Sequence, residues 1–227
     1  MNTDQALAGL YPHLADAPQT DAAALDAALL ESVRQKAAHS VEIKSRFFAS
    51  TGPQVVTVAR VIADRYRRGG RLFTMGNGGS SCDAAHLAVE FQHPITAGRP
   101  ALAAINLSQD MAMITAVAND VGFQHVYTRQ VLALVGAHDC LVGISTSGNS
   151  ENLLAGFAAA RQRGAATIAL AGGDGGRMRA SADVDHCLVV PTDSIHRVQE
   201  THVALYHILW DLVHTLLADD RRPGERP

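Results

Sequence analysis

Five short stretches of this chain are mostly apolar, without regular alternation of polar residues, and helical patterns separate them. They are RLFTM (71–75), ALAAINL (101–107), CLVGI (140–144), ATIALA (166–171) and HCLVVP (186–191). A strand with one face in water alternates apolar and polar side chains, whereas a strand covered on both faces has no need to. Such strands alternating with helices predict an α/β fold built on a five-stranded parallel sheet, with helices on both sides. The intervening helices are expected over Ser80–Phe91, Asp110–Ala118, Phe123–Val135, Ser150–Arg163 and Gly176–Ser181. Three further helices lie outside the alternation. Two leading ones, Ala22–Ser50 and Gln54–Arg68, are expected to break at Gly52-Pro53, and a long final one spans Ser194–Leu217.

Length and charge narrow the class. A chain of 227 residues fits one α/β domain with a sizeable core. The expected organisation is an N-terminal extension (1–21), a single domain (22–219) and a polar tail (220–227). The net charge of −3 calls for neither a nucleic-acid nor an acidic-membrane partner. The local cluster Arg65–Arg71 reads as a solvated helix end, where cations are favoured. Cys82, Cys140 and Cys187 form no C-x-x-C pair, so reduced thiols and a cytoplasmic location are expected. The first residues lack the basic and apolar regions of a signal peptide. No apolar run approaches the ~18 residues of a membrane span.

Two loops echo one another. LFTMGNGGSSCDAAHLA and LVGISTSGNSENLLAGF both read as strand, small polar loop, helix. In open parallel sheets ligands bind beyond the carboxyl ends of the strands, and a helix N-terminus there offers unpaired N–H groups and partial positive charge. Ser145, Thr146, Ser147 and Ser150 supply four hydroxyls where one would serve a helix cap. Together these features point to a phosphate. No P-loop lysine is present. Gly76 and Gly78 imitate half of a dinucleotide fingerprint, but Ser81 replaces its third glycine and no acidic residue closes the next strand. Ser80 and Asp83 fit a capping box for the following helix. That helix carries His86 and Glu90 on one face, a spacing for a metal pair or an acid–base pair. On the last helix Gln199 and His207 lie two turns apart, within ~80° around the axis, and His202 takes another face.

The motifs MGNGGSSCDAAHLAVE, AVAND, GISTSGNS and RVQETHVALYH, in this order and spacing, resemble the phosphoheptose (sedoheptulose 7-phosphate) isomerases of the sugar isomerase, or SIS, group. The resemblance spans about Ala22 to Leu217. It implies a three-layer αβα sandwich and a homotetramer with active sites at subunit interfaces. It implies that Asn77, Gly78, Gly79, Asn119, Asp120 and Gln199 contact the sugar phosphate, and that Ser145, Thr146, Ser147 and Ser150 grip its phosphate. Glu90 and His207 become the acid–base pair, and His86, Glu90, Gln199 and His207 the positions that hold Zn2+ in some members. The implied reaction converts sedoheptulose 7-phosphate to D-glycero-D-manno-heptose 7-phosphate through a cis-enediol, a proton transfer suited to a partly desolvated carboxylate such as Glu90.

The match departs at two places. His93-Pro94 stands where the family commonly has a Thr-Gly-Arg-like stretch, and His196 where an acidic residue is common. These departures bear on which sugar is taken, and leave the phosphate grip and the acid–base pair intact. His93 is free to read substrate, bind metal or cap a helix. Cys82 is expected to be a small packing residue. Two other readings compete. A non-catalytic SIS protein, such as the relative that binds the bacterial replication initiator, lacks the acidic and histidine pair, and both residues are present here. A sugar-phosphate-sensing regulator carries an added helix-turn-helix domain, for which this length leaves no room.

Overall fold

The computed structural model describes residues 22–218; the expected N-terminal extension, residue 219 and the polar tail lie outside them. The chain divides into two units, Met1–Val41 and Glu42–Pro227. Helix α1, Ala22–Arg67, begins in the first and ends in the second. The expected break at Gly52-Pro53 is absent, and Pro53 sits inside one continuous helix. An interior proline removes one hydrogen bond and costs about 3 kcal/mol. Core packing on both sides of it outweighs that cost: Ile43 and Phe47 before the proline, and Val55, Val58 and Ile62 after it, are all buried in one cluster. In the first unit Leu25, Leu29, Leu30, Val33 and Val41 are exposed.

The second unit holds five parallel strands: β1 Leu72–Gly76, β2 Ala104–Asn106, β3 Cys140–Ser145, β4 Ala166–Gly172 and β5 His186–Val190. Their order in the sheet is β2-β1-β3-β4-β5. The edge strand β2 is shorter than the expected 101–107, since only Ala104, Ile105 and Asn106 pair with β1. Between the strands run α2 Gly79–Gln92, α3 Met111–Asp120, α4 Thr128–Leu134, α5 Glu151–Gln162, α6 Gly176–Ala180 and finally α7 Ile195–Ala218. The helix expected over 123–135 is split, with a 3-10 turn at Phe123–His125 before α4.

Successive strand residues face opposite sides of the sheet, and the two cores follow that alternation. Leu72, Val142, Ile144, Ile168 and Leu170 pack with α1, α2 and α7. Phe73, Met75, Leu141 and Ala169 pack against Phe157 of α5 and Met178 of α6. The result is the expected αβα sandwich. The arginine cluster is not simply solvated. Arg71 donates to the buried carboxylate of Asp139 at 3.0 Å, and Arg65 to the Ala137 carbonyl at 2.6 Å, tying the end of α1 to the approach to β3. Among the described residues no helix is long and apolar enough to cross a membrane.

Candidate active site

The strand order reverses between β1 and β3, which opens a crevice at their carboxyl ends. The two echoing loops flank it and are joined by a reciprocal amide pair: Asn77 Nδ2 donates to Asn152 Oδ1, and Asn152 Nδ2 to Asn77 Oδ1, each at 2.9 Å. Beneath Asn77, the Gly76 carbonyl accepts from Tyr127 and from Ser108. Burial raises the Tyr127 phenol above its ordinary range, so it stays a donor.

The hydroxyl loop is folded on itself. Ser145 Oγ and Ser150 Oγ lie 3.0 Å apart, and the Gly148 N–H donates to Ser145 Oγ at 3.2 Å. Gly148 has φ +64°, and a Cβ there would meet the Gly175 carbonyl oxygen at 2.1 Å, so only glycine closes this turn. Ser150 occupies the N-cap of α5, yet its hydroxyl makes no capping bond. The cluster is therefore not explained by helix capping. The loop faces two cavities. Thr146 and Ser147 line one of 490 Å³ with Gly172, Gly173, Asp174 and Thr192. Ser150 and Asn77 line another of 300 Å³ with Phe123, Gln124 and Asn152.

Gln199, in the first turns of α7, lays its amide against the start of α2. A Cβ on Gly79 would come within 2.3 Å of Gln199 Nε2. Gly79→Ala is thus expected to fold normally, since the flexible amide can yield, but to push Gln199 off the loop. Steady-state kinetics should show KM raised about tenfold with a smaller change in kcat. An unchanged KM would show that the amide has no part in binding.

The titratable cluster lies further along α2. His86 Nε2 is 3.1 Å from Glu90 Oε1, and His86 Nδ1 is 2.8 Å from the hydroxyl of Tyr206. The His86 and His207 rings meet edge-on, 5.0 Å between centroids. Trp210 Nε1 donates to the Glu90 carbonyl at 2.8 Å, fixing the end of α2 against α7. Burial raises the Tyr206 phenol above its ordinary range, and the Asp83 and Glu90 carboxylates add to this. Burial likewise raises Asp83, against the pull of His86. One donor atom from each of His86, Glu90 and His207 falls within 4.8 Å of the others. Two imidazoles and a carboxylate are a donor set suited to Zn2+, so these residues fit a metal ion. Gln199 lies about 12 Å from His207 along α7 at 1.5 Å per residue, and its amide rests against Gly79.

Several expected residues fall elsewhere. Asn119 and Asp120, at the end of α3, are exposed and bonded to each other, Nδ2 to Oδ1 at 2.8 Å. His93 is the exposed C-cap of α2, its N–H donating to the Val89 carbonyl. His196 is exposed in the first turn of α7. Cys82 is exposed rather than packed, on the solvent side of α2, and all three thiols are free. The capping box does not form: α2 starts at Gly79 with Gly78 as its cap, and Asp83 is buried with Oδ2 unpartnered among the described residues. Sequence reasoning passed over Asn152, Tyr127 and Tyr206. Asn152 lies two residues beyond Ser150 and Tyr206 adjoins His207, but neither carries a chemistry that spacing alone reveals.

A sheet of this order with a hydroxyl-rich loop at its crevice fits a sugar isomerase domain. The SIS domain family model matches residues 37–172. The phosphoheptose isomerase of Chlorobium phaeovibrioides is 45% identical over 190 residues, covering 82% of this chain and 88% of that one. That of Thermodesulfovibrio yellowstonii is 38% identical, covering 82% and 92%. Among solved structures, phosphoheptose isomerase GmhA from Neisseria gonorrhoeae superposes with a TM-score of 0.76 at 37% identity, over 82% of this chain and 99% of that one. The Francisella tularensis phosphoheptose isomerase gives 0.78 at 33% identity, over 82% and 98%. This chain belongs to the SIS family and, within it, to the phosphoheptose isomerases.

Proposed function

We propose that the chain converts sedoheptulose 7-phosphate to D-glycero-D-manno-heptose 7-phosphate, as a cytoplasmic homotetramer with Zn2+ in its active sites. Beyond the family membership, the observation that carries this reading is the presence in one chain of two complementary parts. One is a hydroxyl loop at the sheet's crevice that is not used up in capping; the other is a cluster in which His86, Glu90 and His207 converge within 4.8 Å.

Ser145, Thr146, Ser147 and Ser150 grip the phosphate, and Asn77, Gly78, Gly79 and Gln199 approach the sugar. Binding there, remote from the reacting carbons, orients C1 and C2. Glu90 removes the proton from one carbon and returns it to the other. Its Oε1 faces His86 Nε2 at 3.1 Å, on the side of the proposed metal centre, which leaves the second oxygen for that proton. His207 moves protons on the carbonyl and hydroxyl oxygens. His86, Glu90 and His207 would hold the metal, with Gln199 as a further donor, and a bound Zn2+ would polarise the substrate oxygens as a Lewis acid. A neighbouring subunit would complete each site. Two features support this: the exposed apolar residues of α1, Leu25 to Val41, and the outlying position of Gln199, Asn119 and Asp120. The catalytic domain is taken to span 22–219.

The test is incubation with sedoheptulose 7-phosphate in deuterated water, followed by NMR. An aldoheptose phosphate carrying deuterium at C2 is expected. A folded, Zn2+-supplied protein that yields neither product nor exchange would sink the proposal and leave a binding role for the loop. Sedimentation on the same sample should give four copies.

A further inference from the structure

The His86 ring is held from both sides, and its two partners differ chemically. Glu90 Oε1 faces Nε2 at 3.1 Å; the Tyr206 hydroxyl faces Nδ1 at 2.8 Å. Tyr206 is 1% exposed and stands edge-on to both His86 and His207, at 5.3 and 4.9 Å between centroids. Its position is therefore set by the core of α7, and the His86 ring must conform to it.

A neutral imidazole carries one proton, on one nitrogen or the other. A carboxylate only accepts, so in the metal-free chain Nε2 carries the proton toward Glu90 and Nδ1 presents a lone pair. Tyr206 then donates to Nδ1. When Nε2 serves as a metal ligand its lone pair must be free, and the ring's single proton sits on Nδ1. Tyr206 then accepts from it. A hydroxyl can do both by rotating its hydrogen. The carboxylate or carbonyl that usually orients a ligating histidine serves only the second state.

We propose that Tyr206 is a positioning residue for His86: its hydroxyl holds the ring in either tautomer, so that Nε2 stays on the Glu90 side whether or not a metal is bound. This rests on reading His86, Glu90 and His207 as the acid–base and metal centre.

The experiment uses the full chain labelled with 15N-histidine, with ring nitrogens observed by long-range 1H–15N NMR and His86 assigned by its loss in His86→Gln. At about pH 8, where histidines are ordinarily neutral, the metal-free wild type should show the Nε2–H tautomer alone. Addition of Zn2+ should convert it to Nδ1–H. Tyr206→Phe keeps the ring and removes the hydroxyl. It should give mixed tautomers without metal, and a Zn2+ affinity lowered about 10–100-fold in competition with a chromophoric chelator. A folded Tyr206→Phe chain with wild-type tautomer and wild-type Zn2+ affinity overturns the proposal. So does a metal-free wild type in the Nδ1–H form, an outcome that decides the matter even if the variant fails to fold. If the wild type takes up no Zn2+, the metal reading of the centre fails, and the metal-free tautomer with and without the hydroxyl still decides the part played by Tyr206.

Discussion

Glu90→Gln is expected to lower turnover by about 10²–10⁴-fold, the range for loss of a general base, with the fold unchanged. Glutamine matches the shape of glutamate and keeps an oxygen for the His86 contact, but it does not take up a proton. Deuterium incorporation at C2 should fall in parallel with turnover, because both depend on the same transfer. Substrate affinity should change much less, since the proposed phosphate grip, Ser145–Ser150, lies on a loop apart from α2. Zinc content measured on the same sample separates two causes. Loss of turnover with metal retained assigns the defect to proton transfer. A variant within tenfold of wild type would remove Glu90 from the role of base and direct attention to His207.

The second large effect is on stability. His202 is fully buried, with Nε2 bonded to the Ala171 carbonyl at 3.2 Å and Nδ1 unpartnered among the described residues. The carbonyl accepts, so Nε2 holds the ring's proton, and a second proton on Nδ1 would place an uncompensated charge in the core. Burial accordingly holds its pKa down, from 6.5 to about 4, against the smaller pull of the Ala171 carbonyl. The unfolded chain takes up a proton below 6.5 that the folded chain refuses until about 4. The contribution is thus complete above 6.5 and is lost as pH falls, by about 3 kcal/mol in all at ~1.4 kcal/mol per pH unit. Urea unfolding between pH 7 and 4 measures it. His202→Gln, which keeps a donor for Ala171 and does not titrate, should flatten the slope. Asp83 works with the opposite sign. Its pKa is raised by burial, so its contribution is greatest below the unfolded value of 3.8 and declines as pH rises. The difference between wild type and His202→Gln isolates the histidine. Equal slopes in the two would show that His202 is not buried neutral.

Much of this arrangement is local and was therefore legible in the chain. The five strands were found because a strand buried on both faces is mostly apolar without regular alternation, a property of consecutive residues. The hydroxyl loop was legible because four hydroxyls exceed what one helix end requires, and the pairing of His86 with Glu90 because a spacing of four fixes two side chains on one face. Proline 53 shows the limit of local reasoning: a residue that should end a helix does not, because side chains distant in sequence bury both flanks of α1.

The same division runs through the site. The sequence by itself determined the parallel sheet, the hydroxyl-rich loop, the pairing of His86 with Glu90 on one helix face, and the family. Only the tertiary structure decided that Asn77 and Asn152 join the two loops, that Gln199 lies against Gly79, and that Tyr206 faces Nδ1 of His86. Each of these joins residues 75 to 120 positions apart. Such contacts depend on how α2, α5 and α7 lie across the sheet, and that geometry is set by packing of the two cores rather than by any short stretch of residues.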